Sequence, residues 1–164
     1  MQIGVNELTK YLAALEKVKR DHGKRIFREH QLHCETGVWL DSAVLKLQKS
    51  NWSEHGFTQG IFFSVWLGEK ELKQDRFNYN IHALKLGLQK SCGAKPVAFA
   101  KAFRKRFDPV GWPNVSIDHG PQTLMDGWVR LRLDTFENDA SNLVERFVAM
   151  HRIIDELLGE AGGM

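Results

Sequence analysis

Cysteine is nearly absent. Cys34 and Cys92 stand far apart in 164 residues, and neither belongs to a Cys-x-x-Cys pair. A disulfide framework is therefore excluded as the basis of the fold, and both thiols are expected to be reduced. Proline is also scarce, at four residues, which excludes a polyproline or collagen-like chain. Long apolar runs are missing: the longest, Ile61-Phe62-Phe63-Ser64-Val65-Trp66-Leu67, falls far short of the ~20 residues that cross a bilayer. Residues 1–20 are charged and amphipathic, without the apolar centre and small-residue cleavage site of a signal peptide. The expected location is cytoplasmic, with no membrane partner, so the Asn51-Trp52-Ser53 and Asn114-Val115-Ser116 glycosylation patterns carry no weight. Missing too are G-x-G-x-x-G, the phosphate-binding P-loop and the G-x-S-x-G nucleophile elbow. No motif decides between an enzyme and a binding protein.

What is present describes an ordinary folded domain. Hydrophobic residues make up 43% and charged ones 26%, a balance that excludes disorder. A chain of this length buries roughly two-thirds of its unfolded surface, so its core needs no metal or disulfide. The net charge of +3 is unevenly spread: from Asp134 onward the balance is −5, and residues 1–133 carry +8. Such asymmetry arises from neighbouring faces of opposite sign or from a polyanionic partner.

Residues Leu8, Tyr11, Leu12, Leu15 and Val18 recur at helical spacing, with Asn6 as N-cap and Gly23 as stop. Residues 24–35 read as a further short helix. Val38–Lys49 reads as one strand, 51–56 as a turn, and Gly60–Leu67 as a central strand, apolar on both faces. Lys70–Lys90 fits two patterns. Phe77, Ile81, Leu84 and Leu88 fit a helical face, whereas Phe77, Tyr79 and Ile81 alternating with Asn78, Asn80 and His82 fit a strand. Length and the helix formers from Glu69 to Lys73 favour the helix. Pro96 opens a helix over 95–107, with Phe99, Phe103 and Phe107 inward and Lys101, Arg104 and Lys105 outward. Strands follow over 114–119 and 127–134. A last helix, capped at Asp139 or Ser141, carries Leu143, Phe147, Met150, Ile154 and Leu157 on one seam. The fold class expected is α+β: a single domain over 1–158, with a mostly antiparallel sheet of about four strands packed with four or five helices. Residues 159–164 are expected to be a flexible C-terminal tail.

Several constellations could carry chemistry. Strict alternation from Trp128 to Leu133 sends Trp128, Arg130 and Arg132 to one face, and Val129, Leu131 and Leu133 to the other. With Lys101, Arg104 and Lys105, these residues form the candidate ligand- or nucleic-acid-binding set, since guanidinium and ammonium groups pair with phosphates. Trp39, Phe62, Trp66 and Trp128 are candidates for one side of the sheet, either as a stacking platform or as core beneath helices. His30, His33 and Cys34 have zinc-ligand chemistry at helical spacing, but no matching second pair exists. No metal and no cofactor are expected. His119, oriented by Asp126 or Asp41, is the minimum for acid–base work. Asp41, Glu69, Glu71 and Lys73 are the set a Mg²⁺-dependent phosphodiester hydrolase would use.

The leading expectation is a small binding module with a basic, aromatic surface and an unknown macromolecular partner, nucleic acid being the candidate. The alternatives are that hydrolase and a homodimer joined through the Leu8–Val18 and Leu143–Leu157 seams.

Overall fold

In the computed structural model, five strands pair in chain order as one antiparallel sheet, β1-β2-β3-β4-β5. The structure describes residues 5–53, 56–84 and 95–162. Helix α1 (Val5–His22) leads through a π-helical turn (Gly23–Phe27) into β1 (His33–Trp39) and β2 (Ser42–Gln48). Strand β3 (Gly60–Leu67), short helix α2 (Glu69–Lys73) and β4 (Arg76–Leu84) follow. Helix α3 (Pro96–Arg106), β5 (Thr123–Arg130), α4 (Leu133–Met150) and α5 (Arg152–Gly162) complete the described chain. The α+β class expected from the sequence is what folds, with five strands in place of about four. Among the described residues no helix is long and apolar enough to cross a membrane.

The long helices cover one face of the sheet. Leu45 and Leu47 of β2, Ile61, Phe63 and Val65 of β3, and Phe77, Tyr79 and Ile81 of β4 point into them and are fully buried. Rings bind the two layers: Phe63 stacks on Phe147 at 4.6 Å, and Phe136 meets Phe77 and Tyr11 edge-on at 4.9 and 5.0 Å. Such pairs add about 0.5–1.5 kcal/mol each beyond their buried area. The seams of α1 (Leu15, Val18) and of α4–α5 (Leu143, Phe147, Ile154, Leu157) meet in this one core.

Local expectations fail where a turn or strand is hidden. Val38–Lys49 is not one strand: Leu40 and Asp41 take φ of 51° and 62°, the left-handed pair of a tight two-residue hairpin, and the chain reverses there. Residues 24–35 are helical only to Glu29 and enter β1 at His33. Helix α1 ends at His22, just before Gly23 as expected, although the backbone stays helical through the π turn, and Asn6 lies within the first turn of α1. The helix expected over Lys70–Lys90 does not form over 76–84. After α2 the chain forms β4, because Phe77, Tyr79 and Ile81 are buried on one face while Asn78 and His82 face the other way. Residues 85–90 lie outside the described set. The strand expected over 114–119 reduces to a single bridge between Ser116 and Asp126. Strand β5 begins at Thr123 and ends at Arg130, so alternation stops there and Leu133, expected inside, opens α4 at 54% exposure. Helix α4 starts well before Asp139 and Ser141, and α5 continues to Gly162, so residues 159–162 are helical where a loose tail was expected.

Candidate functional site on the open face of the sheet

A strand sends alternate side chains to opposite faces, so the five strands also build the face that the helices leave open. The register sorts these side chains into rows. One polar row crosses the whole sheet: Glu35, Lys46, Ser64, Asn80 and Asp126, one from each strand. Beside it run Val44, Trp66, Asn78 and Trp128. On its other side lie His33, Gln48, Phe62 and His82. Trp39, Phe62, Trp66 and Trp128 therefore share one side of the sheet, and it is not the side beneath the helices.

Over β1–β4 this face is a trough of about 1000 Å³, with Lys46, Phe62, Ser64, Trp66 and His82 on its floor and Trp39 and Phe57 among its walls. That volume, largely apolar with a few polar groups, is the size and character of a small-ligand site. The Lys46 ammonium lies 4.6 Å from the Trp39 ring centre and 5.0 Å from that of Phe62, held by the negative faces of both. Burial pushes the Lys46 ammonium below its ordinary value, and Glu35 across the strand pair partly restores it. Ser64 Oγ donates to Asn80 Oδ1. Gln48 Nε2 donates to the carbonyls of Gln59 and Ile61 at 3.1 and 2.9 Å, fixing the loop that forms one wall.

His119 and Asp126 meet, as the sequence suggested they could: Nε2 lies 2.8 Å from Oδ1. The contact, with the Ser116–Asp126 bridge, pins the 107–122 loop along β5. His82 sits beside Phe62, with ring centres 5.2 Å apart. Burial holds its imidazole below the usual histidine value, helped by Lys46 and opposed by the Gln122 backbone and Asp126. His151 behind the sheet is lowered likewise, chiefly by burial. Both imidazoles are therefore harder to protonate in the folded state than in the unfolded chain, which takes up protons near ~6.5. Between their lowered values and ~6.5 the unfolded state binds more protons, so stability falls as pH drops through that window. The urea midpoint is expected to fall from pH 7 to pH 5, and His151→Gln should flatten that dependence.

The six residues singled out by the sequence do not form one patch. Trp128 and Arg130 lie on the open face; Trp128 is 38% exposed, and its ring centre lies 5.6 Å from the Arg76 guanidinium. Arg132 is exposed but past the end of β5, as the N-cap residue of α4. Lys101 and Lys105 are exposed on the outer side of α3, whose Phe99 and Phe103 are buried in the helical layer, so they stand on the far side of the sheet from Trp128. Arg104 is occupied. Its guanidinium donates to the carbonyls of Gly120, Thr123 and Leu124 at 3.0, 2.8 and 3.2 Å. The last two lie at the irregularity in the β4–β5 ladder, where Leu124 itself is the extra, unpaired residue. Arg104→Ala is expected to destabilise the fold by about 2 kcal/mol, the scale of lost charge-assisted bonds. Chemical denaturation checks this, with no change in ligand affinity expected.

The remaining candidates separate. His33 faces the trough while Cys34 points the opposite way, and burial pushes the Cys34 thiol up to about 12. His30 packs edge-on against His151 at 5.1 Å. Glu69 pairs with Lys73 at 3.2 Å, Glu71 is buried, and Asp41 is exposed in the hairpin turn. Among the described residues no three His, Cys, Asp or Glu side chains converge as a metal site would. Lys46, Ser64, Asn80 and Gln48 were not singled out. The strand reading of 77–82 held the signal, since it places Asn78, Asn80 and His82 on one face.

The chain matches no protein-family model, no curated protein and no solved structure in the comparisons made. What fold and site define is a class: an α+β domain with a one-sided helical layer and an open, aromatic-lined sheet face.

Proposed function

We propose that this chain is a binding module whose open sheet face takes single-stranded nucleic acid. The observation that carries the reading is the placement of Trp39, Trp66 and Trp128 on β1, β3 and β5, partly exposed on the uncovered face, with Lys46, Arg76 and Arg130 among them. Alternate strands stand about 9–10 Å apart, so the rings are spread across the sheet and not stacked upon one another. Flat bases stack on such rings whatever their sequence, and the cations meet the phosphates. The basic stripe of α3 has no part in this reading. Arg104 is committed to backbone carbonyls, and Arg106 pairs with Glu160 and Glu156 at 2.7 and 3.5 Å.

The hydrolase reading gains no support from the separated acids of the hairpin turn and α2. The dimer reading gains none from the helical seams, which are used within the chain. Fluorescence anisotropy with labelled single- and double-stranded oligonucleotides at ~50 mM salt tests the proposal, because each phosphate contact releases counterions and binding weakens steeply with salt. Single strands are expected to bind, and absence of binding at that salt would sink the reading. Arg130→Ala should weaken binding and leave the melting temperature nearly unchanged, because exposed charges contribute little stability. Arg132→Ala, beyond the strand end, is expected to have the smaller effect on binding.

A further inference from the structure

Arg76 and Arg130 are directly opposed across β4 and β5. Like charges in that position repel and destabilise the pair. Neither takes part in any ion pair among the described residues. Arg76 Nε is buried with no hydrogen-bond partner, while the guanidinium rests against the Trp128 ring. The site has two further properties. It lies at a corner of the sheet, because β5 is an edge strand, Arg130 ends β5 and Arg76 begins β4. It also adjoins the last tryptophan of the open face.

We infer that this corner is a phosphate-monoester site that receives the terminal phosphate of a bound single strand, whose end base stacks on Trp128. The inference rests on the nucleic-acid reading above. Two forked guanidiniums can each give a pair of parallel N–H···O bonds to one phosphate. A terminal phosphate carries roughly −1.5 to −2 at neutral pH and matches two cations better than the single charge of an internal phosphodiester. Binding also relieves the repulsion between the arginines. Position selects the end of the strand: a chain crossing the face from Trp39 past Trp66 to Trp128 leaves the sheet at this corner.

The experiment is anisotropy with one internally labelled oligonucleotide sequence in three forms: 5′-phosphate, 3′-phosphate, and hydroxyl at both ends. One phosphorylated form is expected to bind about tenfold tighter than the hydroxyl form, as charge-assisted bidentate contacts warrant. Arg130→Ala and Arg76→Gln should each erase that advantage, and Arg130→Ala should do so without lowering the melting temperature. If all three forms bind equally, the terminal-phosphate site is overturned while the nucleic-acid reading stands. If no form binds, both fall. A parallel titration with inorganic phosphate separates the two sources of the same anion. Free phosphate binding as tightly as the phosphorylated strand would overturn the proposal in favour of a free-anion site.

Discussion

Gly127→Ala is expected to cost about 3 kcal/mol or more, the upper end of what overpacking a core produces. A Cβ at Gly127 would lie 2.2 Å from Tyr79 Oη, 2.4 Å from Cζ and 2.7 Å from Cε1. The two residues are direct partners across β4 and β5, and the Tyr79 ring lies over the space where that side chain would stand. Tyr79 has nowhere to go. It is fully buried, packs on Trp112 at 5.5 Å, and donates its hydroxyl to the Pro113 carbonyl at 2.6 Å. Relief therefore requires the strand to shift or the hydroxyl to lose its acceptor. A 3 kcal/mol loss corresponds to roughly 6–12 °C in melting temperature for a domain this size. The diagnostic is a cycle: in a Tyr79→Leu background, where the ring end is gone, adding Gly127→Ala should cost less than about 1 kcal/mol. Equal cost in both backgrounds would place the strain elsewhere.

Asp155→Ala is the second large effect, at about 2–3 kcal/mol, the scale of losing charge-assisted hydrogen bonds at a part-buried ion pair. The Asp155 carboxylate accepts from Lys49 Nζ at 2.5 Å and from the Trp52 indole N–H at 2.8 Å. It ties α5 to the segment after β2. Lys49 and Asp155 side chains are only 16% and 28% exposed, so truncation leaves a mostly buried ammonium without its counter-charge. Asp155→Asn keeps an acceptor for the indole and should cost less. Lys49→Met added to Asp155→Ala should recover part of the loss, because the stranded charge is what is expensive. Urea unfolding of the four proteins checks the order. If Asp155→Ala were neutral, this pair would be no more than a solvent-screened contact.

These two residues also show what the sequence could and could not convey. Asp126-Gly127 reads as turn chemistry, yet it sits inside β5, because the glycine makes room for a ring on the neighbouring strand. That requirement is a tertiary one. The β1–β2 hairpin was hidden for a related reason: Leu40 and Asp41 accept left-handed backbone without the Asn-Gly or Asp-Gly signal that announces such a turn. Strand β4 was hidden by helix formers that belong to the short α2 before it. Periodicity did mark α1, α3 and the α4–α5 seam, whose apolar stripes are unbroken, and it identified β3 as central because it is apolar on both faces.

The site was legible in pieces. Alternation at Trp128 and Arg130 was readable up to the strand's end and failed at Arg132, where the chain turns into α4. The His119–Asp126 contact was accessible because both residues lie near one turn. The polar row from Glu35 to Asp126 was not, since it needs the register of all five strands. The α3 charges misled because spacing shows which side of a helix they occupy but not which side of the sheet carries that helix. It also does not reveal that Arg104 serves the backbone of β5.

The central claim is that binding belongs to the open sheet face and not to the basic helix. Amide chemical shifts recorded while a single-stranded oligonucleotide is titrated in at low salt test it most directly. The account predicts perturbations along β1, β3 and β5 together with the indole signals of Trp39, Trp66 and Trp128, while α3 around Lys101 and Lys105 stays unmoved. Perturbations confined to α3, or none anywhere at saturating oligonucleotide, would contradict it.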